Sequence, residues 1–305
     1  MSSSAKVVTD SISEEGKRIT TLQCRYWRGI HAELMTHRAF ARNAASSRAI
    51  PFLSYVQSGS GGPSMNQLSP KCTVATLQND RFVPEFIGTE QKGMQAGDEL
   101  EEMRKHTAQR IIHEMMDKVM DDCKKLYELG VHKSIINRYL EPWSYITVVI
   151  TATEWDNFFK LRCHPAAEKH FQKLALQMQA AMVESKPTLI EYGRWHLPYV
   201  DETDTENIRT GMDGNAWEVM KKVSAARCAR VSYLTHDGKR DIKADLALAE
   251  RLLNPGDGAI HASPFEHVAT PTYAYKGEHG TSGPFIGWRQ YRKEIPGETY
   301  VAPRV

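Results

Sequence analysis

Three arginines and one histidine stand close together in the stretch THRAFARNAASSR, which spans residues 36 to 48. Its polar side chains that could take part in binding or catalysis are His37, Arg38, Arg42, Ser46 and Arg48. Arginine presents a planar fork of donors that matches phosphate at two points, and serine hydroxyls with adjacent backbone N–H groups can complete such a cradle. If the segment enters a helix, these side chains can share one wall. The pattern indicates either a site for a nucleotide or phosphorylated cofactor, or a solvated basic face.

The positive charge is local, because the whole chain is close to neutral. Lys and Arg number 39 and Asp and Glu 37 among the 305 residues, which gives a formal net charge of +2. This balance creates no global field toward nucleic acid or an anionic membrane, so we expect neither as a partner. The first residues include acidic side chains and no apolar core of signal-peptide length, which favours a cytoplasmic protein.

The basic stretch resembles the signature of the flavin-dependent thymidylate synthases, Arg-His-Arg-x-x-Ser-x-Asn-Glu-x-Ser-x-Arg. The residues in register with this signature are His37, Arg38, Asn43, Ser46 and Arg48. The departures are Thr36, Ala41 and Ala44, which replace the arginine, serine and glutamate of the family.

Two later segments are similar to the same family. IINRYLEP resembles Ala-Arg-x-x-Leu-Pro and places Arg138 at the position whose arginine reaches the substrate phosphate from a neighbouring subunit. TATEWDNFFKLR resembles the family's Asn-x-Arg-x-x-x-Asn/His-Phe-x-x-x-Arg helix, although Thr151 and Thr153 replace its first two polar residues. This resemblance places Asn157 at a flavin-contacting position and Arg162 at the arginine that holds the pyrimidine ring.

The last part of the chain resembles segments that normally come first in the family. AARCARVSYL, HASPFEHV and GWRQYRKE look like the Ala-Arg-Val-Ser, His-x-Ser/Thr-Pro-Phe-Glu-His and Arg-Gln-Trp segments. The resemblance therefore implies a divergent, phage-like member with a permuted motif order. It also places Ser232, His261 and Ser263 at positions that line the FAD site.

Family resemblance implies an activity and an assembly. The enzyme would transfer a one-carbon unit from methylenetetrahydrofolate to C5 of dUMP, with FAD as cofactor, NADPH as reductant and a homotetramer as the assembly. The implied flavin-binding residues in the first half of the chain are His37, Arg38, Asn43 and Asn157. The implied phosphate-binding residues are Ser46, Ser47, Arg48 and Arg138. Arg162 would be catalytic, because it would stabilise negative charge that develops on the pyrimidine.

The departures from the signature leave other functions open. The same chemistry applied to dCMP, or stopped at a 5-hydroxymethyl product for modified DNA, is one alternative. Arg42, Arg289 or Arg292 would then compensate for charges lost at Thr36 and Ala44. A catalytically inactive subunit that binds flavin or nucleotide is an alternative of another class.

Metal binding and cysteine catalysis receive less support from the sequence. His261 and His267 would share one face if their segment were a strand, but no acidic or cysteine partner is evident, so we predict no metal. Cys163 beside His164 superficially resembles the nucleophile of the cysteine-dependent thymidylate synthases. Because Cys163 lies in the Arg162 segment, we interpret it as structural. We expect the five cysteines to be free thiols.

The elements that must position these residues indicate an α+β protein with a sheet flanked by long helices. The expected organisation is a second-half-like region over 1–185, a connection over 186–215 and a first-half-like region over 216–305. Asp98 to Leu129 predicts a helix capped by Asp98 and ended by Gly130. Its expected apolar stripe consists of Leu100, Met103, Ile111, Met115, Val119, Cys123 and Leu126.

The remaining segments give less distinct patterns. Residues 145–153 predict a buried strand or an apolar lead-in to a helix, and 154–184 predict a helix that Pro165 breaks. Residues 58–70 predict a loop, and DIKADLALAERLL predicts a helix after a turn at Asp237. The SPFEH and WRQYRKE segments predict strands and a basic turn.

Overall fold

The fold is built on one five-stranded sheet and several small hairpins. It was examined in a computed structural model that describes residues 3–57, 63–90, 97–211, 215–231, 240–254, 256, 260–273 and 281–298. The strands are β1 (Ser4–Ser13), β2 (Arg18–Trp27), β3 (Ala41–Ala44), β4 (Tyr55–Gln57), β5 (Pro63–Leu68), β6 (Tyr145–Ala152), β7 (Thr188–Ile190), β8 (Ala269–Pro271), β9 (Thr281–Ser282), β10 (Phe285–Ile286) and β11 (Trp288–Gln290). The main sheet has the order β3-β6-β2-β1-β7, and its pairs are antiparallel except β1 with β7.

Helices cover the sheet and connect its strands. They are α1 (His31–Leu34), α2 (Thr73–Asn79), α3 (Glu102–Glu128), α4 (Lys133–Tyr139), α5 (Asp156–Arg162), α6 (Lys169–Glu184), α7 (Glu202–Gly211), α8 (Ala216–Arg230) and α9 (Ile242–Leu253). Helices and sheet in these amounts confirm the α+β class. In the described part of the chain, no helix is both long and apolar enough to cross a bilayer.

Strand β6 forms the main core together with helix α6. Its sequence YITVVITA is rich in β-branched residues, which suit a pleated and buried surface. Val148 and Ile150 are fully buried and pack in one cluster with Phe171 and Leu174 of α6. The segment is therefore a strand rather than a lead-in to a helix. The break predicted around Pro165 is confirmed, because α5 ends at Arg162 and α6 begins at Lys169.

Helix α3 is present, but its N-terminus and half of its apolar stripe were predicted wrongly. It begins at Glu102 rather than beside Asp98, and Gly130 ends it with a φ of 83°, a conformation that glycine adopts without strain. Met103 and Met115 are 76% and 54% exposed, whereas the adjacent Met116 is buried. Only the C-terminal half of α3 packs on the second core, which α2 and α4 share.

Two segments predicted to be irregular contain regular structure. Residues 63–68 of the predicted loop form β5, which pairs with β4, while residues 58–62 lie outside the described part. The predicted connection over 186–215 contains β7, which extends the main sheet beside β1, and helix α7. Its polar composition concealed these elements, because each is anchored by contacts distant in sequence.

The C-terminal region, residues 216–305, packs against residues 1–185 through apolar contacts and hydrogen bonds. Trp288 and Ala269 are fully buried in one cluster with Ile19 of β2 and Ala41 of β3. The SPFE segment is a 3-10 turn, not a strand, so the expectation that His261 and His267 share a strand face was wrong. His267 is buried and His261 is exposed. The predicted turn at Asp237 lies outside the described residues.

The cysteines are free, as expected. Four of them are buried, and Cys163 is partly exposed. Burial raises the pKa of the Cys163 thiol. A raised pKa disfavours the thiolate that a nucleophile requires, which supports a structural role for Cys163.

Candidate functional site

The basic stretch folds into three short elements rather than one helix. His37 and Arg38 follow α1, Arg42 and Asn43 lie in β3, and Arg48 lies in a 3-10 turn formed by Ser47–Ala49. The stretch therefore presents its side chains in different directions. Arg42 donates hydrogen bonds to the carbonyl oxygens of Leu34 and His37, both at 3.1 Å. It stabilises the end of α1 instead of joining a shared phosphate-binding wall.

His37 and Arg162 come together although they are 125 residues apart in sequence. Arg162 Nε donates to His37 Nε2 at 3.0 Å, and Arg162 Nη1 lies 3.2 Å from Glu33 Oε2. The guanidinium carbon is 4.5 Å from the ring centre of Phe171. We call Glu33, His37 and Arg162 the histidine cluster.

The electrostatics of the histidine cluster keep His37 neutral near pH 7. Burial, followed by the positive charges of Arg162 and Arg42, lowers the pKa of His37 to about 4. Burial also raises the pKa of Glu33, although Arg162 opposes that shift. The cluster thus combines a neutral imidazole with a guanidinium that stays charged, and the cation can act on negative charge that develops nearby.

An aromatic wall supports His37. Its ring centre lies 4.9 Å from that of Phe158 in an edge-on arrangement and 5.8 Å from that of Phe40 in a stacked one. Arg38 and Asn157 are exposed beside these segments. Asn43, by contrast, is 6% exposed within β3, so it offers little surface to a ligand.

The second group of predicted residues surrounds the turn at Ser47–Ala49. Helix α4 holds this turn, because Asn137 Nδ2 donates to the carbonyl oxygens of Ser47 and Ile50 at 2.8 and 2.9 Å. Lys133 Nζ donates to the carbonyl oxygen of Ala49 at 3.0 Å. Helix α4 therefore fixes the backbone of this turn.

The side chains of this turn differ in their availability to a ligand. Ser47 Oγ donates to Glu141 Oε1 at 2.5 Å, so its hydroxyl is already engaged. Ser46 is half-buried, and Arg48 is exposed. Arg138 is exposed on α4, whereas its neighbour Asn137 makes the contacts with the turn. Because α4 packs against this turn, we group Ser46, Arg48 and Arg138 under the name arginine cluster.

The C-terminal segments contact β3, which is part of the basic stretch. The 3-10 turn Ser263–Glu266 packs against β3, and Ser263 and His261 are exposed there. Glu266 forms an ion pair with Arg292. Ser232, the remaining predicted flavin contact, lies outside the described residues.

A chain of buried hydrogen bonds joins the late segments to the sheet. His267 Nδ1 lies 2.8 Å from Thr151 Oγ1, which lies 2.7 Å from Thr21 Oγ1. Thr21 Oγ1 is 2.8 Å from His196 Nε2, and His196 Nδ1 is 2.8 Å from Ser11 Oγ. Burial lowers the pKa of both histidines to about 3. Both are therefore neutral, buried members of this hydrogen-bonded chain.

Two residues with functional geometry were not predicted from the sequence. Glu33 pairs with Arg162, and no local pattern indicates this contact, because α1 ends at Leu34 before His37. Asn137 was overlooked beside Arg138, and no local pattern distinguishes their roles. Among the described residues, no group of three or more histidine, cysteine or acidic side chains could hold a metal ion.

A comparison with known protein families identifies the family of this chain. The family of thymidylate synthase complementing proteins matches residues 19–188, which include both clusters. The chain belongs to this family. Membership supports a thymidylate synthase-like nucleotide methyltransferase.

The comparisons with solved structures and with curated proteins give less similarity. A solved UMP/dUMP methylase, PolB from Streptomyces cacaoi bound with 5-Br UMP, is 14% identical over 60% of this chain and 90% of its own, with a TM-score of 0.45. No curated protein matches the chain.

Proposed function

We propose that the protein transfers a one-carbon unit from methylenetetrahydrofolate to C5 of dUMP in a flavin-dependent reaction. The observation that carries this proposal is the histidine cluster, in which Arg162 is held by both His37 and Glu33 inside the region that matches the family. A guanidinium fixed at two points is pre-organised, and such groups stabilise charge that develops in a transition state.

The residues around the histidine cluster fit FAD. The half-buried, neutral imidazole of His37, which Phe40 and Phe158 hold in place from the core, would contact the flavin ring, and exposed Arg38 would offer charge to its phosphates. Ser263 and His261 lie on the turn that packs against β3, close to the same stretch of chain. When bound, FAD supplies the hydride, with NADPH as the source of electrons.

The protein residues have separate roles in this proposal. Arg162 stabilises negative charge on the pyrimidine ring as C5 attacks the methylene group. His37 remains neutral and accepts the hydrogen bond that orients Arg162, and Glu33 fixes the other end of the guanidinium. Glu33→Gln would replace this ion pair with a weaker neutral hydrogen bond, so it should leave Arg162 less firmly oriented.

The nucleotide phosphate would bind at the arginine cluster. Arg48 and Arg138 are exposed and, within the described part of the chain, neither forms an ion pair. The Ser46 hydroxyl and the fixed backbone of the turn complete a site for an anion. The Ser47 hydroxyl contributes only if it leaves Glu141.

The substrate residues fall into two clusters on one chain, which fits an active site shared between subunits. Exposed apolar side chains on α3, Met103 and Met115, provide surface for such contacts. We therefore propose a homo-oligomer, a tetramer by family resemblance. Dilution to monomer without loss of bound flavin would contradict a shared site.

Turnover tests the reaction directly. The purified chain is supplied with FAD, NADPH and methylenetetrahydrofolate, together with either dUMP or dCMP, and the product mass distinguishes a methyl from a hydroxymethyl group. Arg162→Ala should abolish turnover. Arg110→Ala is the matched control, because Arg110 is an exposed arginine of α3 paired only with Glu114 among described residues. Flavin and nucleotide binding without any product would favour the inactive-subunit alternative.

A further inference from the structure

A carboxylate already contacts the turn that carries the arginine cluster. Glu141 follows Arg138 closely in the chain and begins the 3-10 turn Glu141–Trp143 after α4. Its Oε1 accepts the hydrogen bond from Ser47 Oγ at 2.5 Å, and Arg28 Nη1 lies 3.8 Å from the same oxygen. Glu141 therefore occupies a hydroxyl and faces a guanidinium, which are donor types that also bind phosphate.

The backbone that carries Glu141 is fixed without help from the carboxylate. The carbonyl oxygen of Glu141 accepts from Ser144 Oγ at 2.8 Å, and Arg28 N donates to the carbonyl oxygen of Ser144 at 3.0 Å. Trp27 Nε1 donates to the carbonyl oxygen of the neighbouring Pro142 at 2.7 Å. Rotation of the Glu141 side chain alone is therefore enough to release Ser47.

Charge holds the carboxylate only weakly. The 3.8 Å between Arg28 Nη1 and Glu141 Oε1 is too long for a hydrogen bond. The Glu141 side chain is 35% exposed, so water can hydrate the carboxylate once it leaves Ser47. Ion pairs with this degree of exposure contribute little to stability. The hydrogen bond from Ser47 is therefore the contact that a competing anion must replace.

An anion at the arginine cluster would meet this carboxylate directly. A serine hydroxyl has one proton to donate, and Ser47 gives it to Glu141. Because Ser47 adjoins Arg48 in the chain and Glu141 follows Arg138, the anion would also lie near a like charge, which repels it. A phosphate can use the Ser47 hydroxyl only after the carboxylate has moved away.

We propose that the Glu141 carboxylate occupies part of the phosphate site in the ligand-free protein and that a nucleotide phosphate displaces it. This proposal rests on the proposed function, which assigns the phosphate to the arginine cluster. Displacement frees the Ser47 hydroxyl for the ligand. It also separates Arg28 from the carboxylate, so that the charge of Arg28 favours the incoming anion.

The displacement makes the site selective for nucleotides over nucleosides. A neutral nucleoside has no anionic group that can replace the carboxylate, so Glu141 stays on Ser47. A phosphate monoester carries a charge of about −1.5 to −2 at pH 7 and presents three strong acceptor oxygens. Glu141 is therefore a specificity-determining residue that reports the presence of a phosphate.

Calorimetric titration of the full-length, FAD-loaded protein with dUMP, inorganic phosphate and deoxyuridine tests this proposal. Glu141→Gln removes the charge but keeps an oxygen that can accept the Ser47 hydrogen bond. It should bind dUMP about fivefold more tightly than wild type, because a hydrogen bond to a neutral acceptor is weaker and is displaced more easily. Affinity for phosphate should rise similarly, whereas affinity for deoxyuridine and the melting temperature should stay close to wild type.

Two further variants assign the gain to the contact itself. Glu128→Gln is the matched control, because it changes the net charge equally and Glu128 is an exposed residue at the end of α3. It should leave dUMP affinity within about twofold of wild type, because solvent and salt screen an exposed charge. In a Ser47→Ala background, the gain from Glu141→Gln should shrink, because the hydrogen bond that holds the carboxylate is already absent.

Several results would overturn the proposal. Equal or weaker dUMP binding by Glu141→Gln would show that the carboxylate does not compete with the phosphate. An equal gain in Glu128→Gln, or an undiminished gain in the Ser47→Ala background, would assign the effect to net charge. Tighter binding of deoxyuridine would separate the effect from the phosphate. Absence of dUMP binding in every variant would overturn the phosphate site as well, whereas equal binding by wild type and Glu141→Gln would overturn this proposal alone.

Discussion

Two sets of arginines differ in their surroundings, an exposed set within residues 19–188 and a paired set within residues 216–305. In residues 19–188, Arg38, Arg48 and Arg138 are exposed and form no ion pair with another described residue. In the C-terminal region, Arg227 and Arg292 each contact two carboxylates. The exposed set is therefore accessible to a ligand, whereas the paired set holds helices and turns together.

The ion pairs of Arg227 illustrate the structural use. Its guanidinium contacts Asp204 of α7 and Asp245 of α9 while it lies on α8, so one side chain joins three helices. Burial alone would raise the pKa of Asp204, but the hydrogen bonds from Arg227 outweigh it and the pKa is lowered. Arg227 therefore favours the ionised form of the buried Asp204 carboxylate.

The largest expected effect separates these two uses. Arg227→Met should reduce the free energy of unfolding by about 3 kcal/mol, because the buried Asp204 and Asp245 lose the cation they share and keep only the more exposed Arg240 and Arg230. Arg48→Met should change it by less than about 0.5 kcal/mol, as an exposed substitution does. Denaturant titration of both variants measures the contrast. Equal losses would show that the comparison is wrong.

Ligand affinity, unlike stability, should depend on the exposed Arg48. Arg48→Ala should weaken dUMP binding by roughly 10- to 100-fold, because a charged hydrogen bond contributes about 1.5–3 kcal/mol. Its melting temperature should stay at the wild-type value. Calorimetry with dUMP and the FAD-loaded protein provides the measurement, and Arg110→Ala serves as control. Unchanged affinity in Arg48→Ala would remove Arg48 from the proposed phosphate site.

The buried histidines predict a dependence of stability on pH. His196 and His267 have folded-state pKa values of about 3, whereas unfolded histidine titrates near 6.5. Between these values the unfolded chain binds more protons, so stability is highest above pH 6.5 and falls as the pH drops. The expected loss is about 1 kcal/mol for each histidine between pH 7 and 5.5.

Two variants check the source of this pH dependence. His196→Gln should be less stable at pH 7 but should lose less stability on acidification. His106→Gln should retain the wild-type slope, because His106 is exposed on α3. Urea unfolding at several pH values measures both slopes. A wild-type slope in His196→Gln would assign the effect to other groups.

The smallest effect concerns the arginines proposed to compensate for Thr36 and Ala44. Arg289 pairs with Glu294, and Arg292 pairs with Glu266 and Glu298. Partly exposed pairs contribute little, so Arg289→Ala should cost less than about 1 kcal/mol in stability. It should leave flavin and dUMP affinity unchanged. Weaker ligand binding in Arg289→Ala would place Arg289 at the ligand site, and the contrast between exposed and paired arginines would no longer hold.

Local sequence patterns predicted several elements of the fold. The break near Pro165, the end of α3 at Gly130 and the helix after Asp241 all follow from the conformational limits of single residues or from capping. Asp241, for example, accepts a hydrogen bond from Ala244 N at 3.0 Å. The role of Arg162, by contrast, was inferred from family resemblance alone, and the site residues stay a prediction.

Contacts between distant segments could not be predicted in this way. Glu33 and Arg162 are 129 residues apart, and Ser11 and His196 are 185 residues apart. The apolar stripe of α3 was misplaced for a related reason. Periodicity shows that a helix has an apolar face, but the side that α2 and α4 cover decides whether Met115 or Met116 is buried.

The most direct test of the account is the visible absorption spectrum of the FAD-loaded protein during titration with dUMP and, separately, dCMP. The account predicts that the protein retains flavin and that dUMP perturbs its absorption band. Perturbation should be lost in Arg162→Ala and kept in Arg110→Ala. Failure to retain flavin at saturating FAD, or a band that neither nucleotide perturbs, would contradict the account.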